Sequence, residues 1–418
     1  MRKFASFCLM VVFPLISVFH PAFLSAQDSA PLQVNAKSAV LMEVSTGTIL
    51  FEQNADEPIE PASFTKVLTL FLVFDSLRQK LAHLQDEVWI SEKAWRTGGS
   101  KMFVGVDTKV PLEELIKGIS VVSGNDACTA AAEHLYGSSD AFVSAMNRRA
   151  KELGMHQSHF ENPHGLPAEG QITTARDMAK LDLAYLQRFP EALRYHSMRE
   201  FSFNGITQHN RNRLLIKDPS VDGLKTGYVA AAGYHLSATA ERDGMRLLGV
   251  VMGADTPAAR EREALKLLNY GFRHFTLAKP FPQDQPVTTV KVWKGIKDAV
   301  NLYGAEEAIL LIPQSKKSGL RWEVQVPDRV SAPVGVEQAV GKIVFFLDDS
   351  PVKNVALVAH EEVQKAGLVK QVWQTVLQVP QVKVNWKWAG GISGGALIFF
   401  FLVILAAKRR QRRSRAFR

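Results

Sequence analysis

Cysteine is almost missing from this chain. Of 418 residues only Cys8 and Cys128 carry a thiol, and Cys8 lies in an apolar N-terminal run. Without that run Cys128 has no partner, so no internal disulfide braces the remainder and burial of a core must hold it. The roughly 360 residues between the terminal segments are chain enough for one large domain and one smaller one. Also missing are internal repeats, low-complexity tracts and any H-E-x-x-H pair. His156, His159 and His164 lie close together, but Pro163 breaks any helix through them and no carboxylates cluster nearby, so neither metal nor cofactor is expected. Excess charge is missing from the middle of the chain as well. The net +9 is accounted for by seven positive residues in 408–418 and by Arg2 and Lys3. A neutral body gives no electrostatic reason to expect a nucleic-acid partner.

What is present at the ends points to topology. Arg2 and Lys3 precede an apolar stretch from Phe4 to Leu24 that closes on Leu24-Ser25-Ala26, the pattern of an export signal over 1–26. Pro14, His20 and Pro21 interrupt it and make a poor spanning helix. Residues 389–407 are uncharged and rich in Leu, Ile and Phe, long enough to cross a bilayer core. Trp386 and Trp388 stand at the entry, and the tail 408–418 is basic without an acid. That asymmetry predicts a single-pass protein of the cytoplasmic membrane, its body on the extracytoplasmic (periplasmic) side and its C-terminus in the cytoplasm.

Between the ends, residues 33–54 alternate like a hairpin around Ser45-Thr46-Gly47. Ser63 opens an apolar helical run to about Leu77, and 111–153 read as mostly helical. Thr174-Ala175-Arg176-Asp177 carries a helix-start pattern. Strands are expected over Tyr234–Ala240 and Arg246–Met252, followed by a helix over Ala258–Phe272. Helices between early and late strands predict an α+β domain, one sheet with a helical cluster. After Pro280-Phe281-Pro282, short alternating runs predict a small all-β domain and then a helix over Glu362–Leu377. The resulting domain boundaries are 34–275 and 283–378.

Ser63 and Lys66 stand three apart at a helix start, so both project from one face. A serine hydroxyl needs a base, and an amine depressed by burial can be one. The helix N-terminus adds free N–H groups for an oxyanion. Alone the pair carries little weight. Ser123-Gly124-Asn125 lies between apolar helices, and Lys225-Thr226-Gly227 lies just before an expected strand. S-x-x-K, S-x-N and K-T-G in that order are the signatures of penicillin-recognising serine enzymes.

The surrounding runs resemble the D-alanyl-D-alanine carboxypeptidases, the low-molecular-mass penicillin-binding proteins. These are Pro61-Ala62-Ser63-Phe64-Thr65-Lys66, Ser123-Gly124-Asn125-Asp126-Ala127, Asn162-Pro163-His164-Gly165-Leu166, Val221-Asp222-Gly223-Leu224-Lys225-Thr226-Gly227 and Leu267-Leu268-Asn269-Tyr270-Gly271-Phe272. The resemblance implies a transpeptidase domain of the penicillin-binding-protein and β-lactamase type, removing the terminal D-Ala from peptidoglycan stem pentapeptides ending in D-Ala-D-Ala. It makes Ser63 the nucleophile, Lys66 the acylation base and Ser123 the proton relay towards the leaving amine. Asn125 would bond Lys66 and the substrate amide, Lys225, Thr226 and Gly227 would line the opposite wall, and Arg211 would hold the terminal carboxylate. The second oxyanion N–H is expected on the strand after Gly227, at His235. β-Lactam antibiotics are implied as covalent inhibitors. The family usually ends in a short amphipathic anchor; here a full span and basic tail meet the lipid bilayer.

Three rivals remain at this stage. A β-lactamase would need an added glutamate, and no E-x-x-L-N element occurs between Asn125 and Lys225. A D,D-endopeptidase would use the same chemistry on cross-links. A non-catalytic cell-wall scaffold would not need Ser63, Lys66, Ser123 and Lys225 together. Cys128 reads as a small core residue and Asp177 as a helix cap.

Overall fold

The computed structural model describes residues 32–282 and 284–376. The export signal expected over 1–26, the span over 389–407 and the tail over 408–418 lie outside the described residues. Among the described residues no helix is long and apolar enough to cross a membrane. The chain divides into two compact units. One runs to Pro280 and includes Ala308–Arg321 and Phe345–Lys353; the other holds Phe281–Glu307, Trp322–Val344 and the described residues from Asn354.

The first unit is built on an antiparallel sheet. Its strands are β1 (Ser38–Glu43), β2 (Ile49–Gln53), β3 (Val221–Val229), β4 (Gly233–Arg242) and β5 (Met245–Ala254), in the order β2-β1-β5-β4-β3. Alternation along β1 assigns its faces: Val40 and Met42 join one core, Ala39 and Leu41 the other. Central β5 is covered on both faces and therefore reads as a nearly unbroken apolar run, with Leu247, Leu248, Val250, Val251 and Met252 all buried.

Six helices do the covering: α1 (Thr65–Arg78), α2 (Leu112–Val121), α3 (Asn125–Tyr136), α4 (Ser139–Glu152), α5 (Ala175–Arg188) and α6 (Pro257–His274). The last packs Ala264, Leu267 and Leu268 on one sheet face. It starts where the Thr256 hydroxyl accepts from the Ala259 N–H. On the opposite face α5 meets β1 and β5, and α2, α3 and α4 pack with it around α1. There α1 is enclosed on every side, Thr65 through Ser76 being buried, which explains why its sequence is apolar all round. Thr174 caps α5 through the Asp177 N–H, as its sequence predicts.

Two sequence expectations need correction here. Lys225-Thr226-Gly227 lies inside β3, not before a strand, because the polar side chains of this edge strand serve a cleft and mask its alternation. The final helix covers Leu368–Val376, later than the expected start at Glu362.

Continuing in chain order, β6 is Phe275–Ala278, β7 Thr288–Trp293, β8 Ala299–Gly304 and β9 Leu310–Pro313. They are followed by β10 (Leu320–Gln325), β11 (Arg329–Ser331), β12 (Ala339–Leu347) and β13 (Ser350–Ala359). Six of them form a sheet in the order β10-β12-β13-β8-β7-β11. The other two are β6 and β9, the latter within the stretch read from sequence as the small β domain. Strand β9 pairs antiparallel with β6 in the first unit and buries Leu310 and Ile312.

Candidate active site

The site forms where the start of α1, the α2–α3 connection and edge strand β3 converge. Pro61 leads into a short 3-10 turn, Ala62–Phe64, which passes directly into α1. Ser63 sits in that turn and Lys66 one turn on, so the Lys66 Nζ reaches to 2.9 Å from the Ser63 Oγ. The same nitrogen donates to the carbonyl oxygen of His164. Close approach of that loop depends on Gly165, whose φ is +82°. A Cβ there would stand 1.7 Å from the Ala62 carbonyl oxygen, so no larger residue fits.

Ser123 occupies the α2–α3 connection with φ +62°, a left-handed conformation unusual outside glycine. It aims the hydroxyl at the nucleophile: Ser123 Oγ donates to Ser63 Oγ at 3.1 Å. From the other wall Lys225 donates to Ser123 Oγ at 3.0 Å, and to the Thr226 carbonyl oxygen at 3.2 Å. Two lysines thus meet one pair of serine hydroxyls. Gly227 lets β3 come close to the turn; a Cβ on it would lie 3.2 Å from that of Ala62.

Burial sets the charge state of these groups. The Lys66 amine is fully buried, and loss of hydration brings its pKa down to about 8, with the Arg211 charge acting in the same direction. Lys225 is held well below the usual amine range by burial first and then by Lys66 and Arg211. His164 is pushed down to about 3 by burial and by Lys66, which leaves its ring neutral. The Cys128 thiol rises to about 12 because it is buried, so it is an inert neighbour.

The structure brings Ser63, Lys66, Ser123, Lys225, Thr226 and Gly227 into one cleft. Asn125 lies beside it, its N–H bonded to the Ser100 carbonyl at 2.7 Å and its Nδ2 donating to the Gly98 carbonyl at 2.7 Å. The expected bond to Lys66 is therefore replaced by one to Gly98, and the Asn125 Oδ1 is buried without a hydrogen-bond partner. Arg211 donates to Ser100 Oγ at 2.7 Å.

His235 does not sit where an oxyanion would form. It lies on β4, flanked by β3 and β5, its Nδ1 accepting from the Gly253 N–H and its Nε2 facing the Glu60 carbonyl. The open backbone edge belongs to β3. Two participants escape the sequence reading: the His164 carbonyl and Arg260, which donates to the Gly227 and Arg211 carbonyls. Backbone acceptors carry no residue signature, and Arg260 reads as an ordinary helix-surface charge. No group of three His, Cys, Asp or Glu able to hold a metal occurs among the described residues.

Comparison with known proteins supplies the context. The D-alanyl-D-alanine carboxypeptidase family matches residues 25–256, and the C-terminal domain of penicillin-binding protein 5 matches 275–365. The chain is 39% identical over 364 residues to the Escherichia coli K12 D-alanyl-D-alanine carboxypeptidase DacC, covering 85% of this chain and 91% of that protein. It is 37% identical over 359 residues to the Haemophilus influenzae DacA, covering 84% and 91%. The structure of penicillin-binding protein 5 from Haemophilus influenzae superposes with a TM-score of 0.72 at 36% identity, over 81% of this chain and all of that one.

Proposed function

The chain belongs to the D-alanyl-D-alanine carboxypeptidase family and is a serine-type peptidase, and from that premise we propose that Ser63 carries the acyl group while the terminal D-Ala leaves a peptidoglycan stem pentapeptide. The observation that carries this reading is the hydrogen-bonded run Lys66–Ser63–Ser123–Lys225 in a buried cleft. In its neutral form Lys66 takes the proton from Ser63 Oγ as that oxygen bonds to the carbonyl carbon of the penultimate D-Ala. The N–H of Ser63 and an N–H on the open edge of β3 stabilise the oxyanion. When the C–N bond breaks, the departing amine takes a proton through Ser123. Water then hydrolyses the ester and frees Ser63.

Binding follows from the same walls. The unpartnered Oδ1 of Asn125 suits an amide N–H of the substrate. Arg211, with Lys225 and Thr226, suits a terminal carboxylate, for which a planar guanidinium is well matched. A group placed to read a carboxylate suits the C-terminal D-Ala of a stem pentapeptide. A β-lactam presents a reactive amide and a carboxylate in similar disposition, so acylation of Ser63 is expected. Peptide mapping of the full-length chain in detergent after labelled benzylpenicillin tests this: label on Ser63 and none in Ser63→Ala supports it, and label elsewhere refutes it.

The sequence also supports an attachment: removal of 1–26 on export, a single span over 389–407 in the cytoplasmic membrane, and a cytoplasmic tail. An epitope at Arg418 that proteases reach from outside intact spheroplasts would refute that orientation.

A further inference from the structure

Residues 97–105 run beside the cleft without regular secondary structure. Their backbone N–H groups therefore need partners from elsewhere. One buried side chain supplies three of them. The Asp126 Oδ1 accepts from Met102 at 3.0 Å, and its Oδ2 accepts from Phe103 at 2.9 Å and Val104 at 3.3 Å. Oδ1 also accepts from Ala127 in the first turn of α3, so the carboxylate ties the segment to the helix that begins at Asn125. The segment is not relaxed: Phe103 has φ +68°, a left-handed conformation that a bulky residue adopts only when its surroundings impose it. Asn204 and Gln208 hold the Phe103 and Lys101 carbonyls from the far side.

What the clamp positions is functional. The Gly98 and Ser100 carbonyls fix the side chain and N–H of Asn125, and the Ser100 hydroxyl receives Arg211. We infer that Asp126 is a positioning residue for recognition of the substrate's terminus: through the 97–105 segment it fixes Arg211 and Asn125, and so sets the preference for a free terminal carboxylate. Asp126 touches neither the nucleophile nor the reacting carbonyl, so its effect falls on substrate binding. The inference rests on the carboxypeptidase reading and concerns its selectivity.

The test compares full-length wild type, Asp126→Asn and Ser100→Ala on two peptides, one ending in D-Ala-D-Ala with a free carboxylate and one with that terminus amidated. An amide at 126 cannot accept from both pairs of N–H groups, because one of its ends is a donor. Asp126→Asn is expected to raise KM for the free acid about tenfold, to change kcat less, and to lower the preference over the amidated peptide by about tenfold. Ser100→Ala, which leaves the clamp intact and removes only the Arg211 partner, is expected to lower that preference about threefold. A fall in kcat at unchanged KM, or equal losses on both peptides, overturns the inference. Should Asp126→Asn fail to fold, Ser100→Ala decides, and an unchanged preference refutes it. A wild type that cleaves neither peptide would instead overturn the functional reading beneath.

Discussion

The Lys66 Nζ lies 2.9 Å from the Ser63 hydroxyl oxygen in a buried cleft where hydration of the ammonium is lost. Loss of hydration raises the cost of the charged form, so a base is available at neutral to mildly alkaline pH that a surface lysine would not provide.

A pH dependence follows. With its pKa depressed to about 8 by burial, Lys66 is mostly protonated at pH 6 and mostly neutral at pH 9. Acylation by benzylpenicillin is expected to rise with pH, with its midpoint near 8 and a plateau above about 9, as measured by stopped-flow quenching between pH 6 and 10. A rate that stays flat across this range contradicts Lys66 as the base.

Ser123 joins the two lysine-bearing walls, being within hydrogen-bond distance of both Ser63 and Lys225. Ser123→Ala is expected to slow turnover of a D-Ala-D-Ala peptide by about 10²–10⁴-fold, the usual worth of a positioned proton relay, with a much smaller change in KM. Steady-state kinetics check this; a KM effect with kcat intact argues for a binding role instead.

Gly165 makes a stability prediction with a catalytic signature. A methyl group there would meet the Ala62 carbonyl oxygen at 1.7 Å, and the residue's φ of +82° is strained for alanine. Gly165→Ala is expected to cost about 2–4 kcal/mol in denaturant unfolding and to lose penicillin acylation, because the loop carrying the His164 carbonyl must retreat from Lys66. Unchanged unfolding would show that the loop relaxes freely.

Asp182 lies on α5 in the core, where Ser237 donates to one carboxylate oxygen at 2.5 Å and the other has no partner. Burial raises its pKa from 3.8 to about 7. The folded state thus keeps the proton that the unfolded state releases, so the stabilising effect is complete below about pH 4 and is lost as pH rises through about 7. Asp182→Asn is expected to remove that slope and to be the more stable form at pH 8, by on the order of 2 kcal/mol. Thermal unfolding of both proteins at pH 5 and pH 8 measures it; parallel slopes refute the assignment.

Much of the site was legible because spacing carries it. Ser63 and Lys66 share a helix face at i and i+3, and the two downstream triplets keep their order and polar settings. The α+β layering was legible for a similar reason, since β1 alternates and α6 has clear ends. What sequence concealed was position within the sheet. His235 and Gly227 are register partners, yet of their two strands only β3 has an open edge, and nothing in either residue's neighbours along the chain says so. Asp182 and Asp126 look like helix-surface acids until tertiary packing buries them. The pairing of β9 with Phe275–Ala278 was not legible either, because it is a long-range choice that neither run announces.

The most direct test of the account is release of D-Ala from a diacetyl-Lys-D-Ala-D-Ala peptide by the full-length chain in detergent, measured beside Ser63→Ala. The account predicts release by the wild type and none above the uncatalysed background by Ser63→Ala. Equal release by the two proteins, or none by a wild type that is folded, would contradict it.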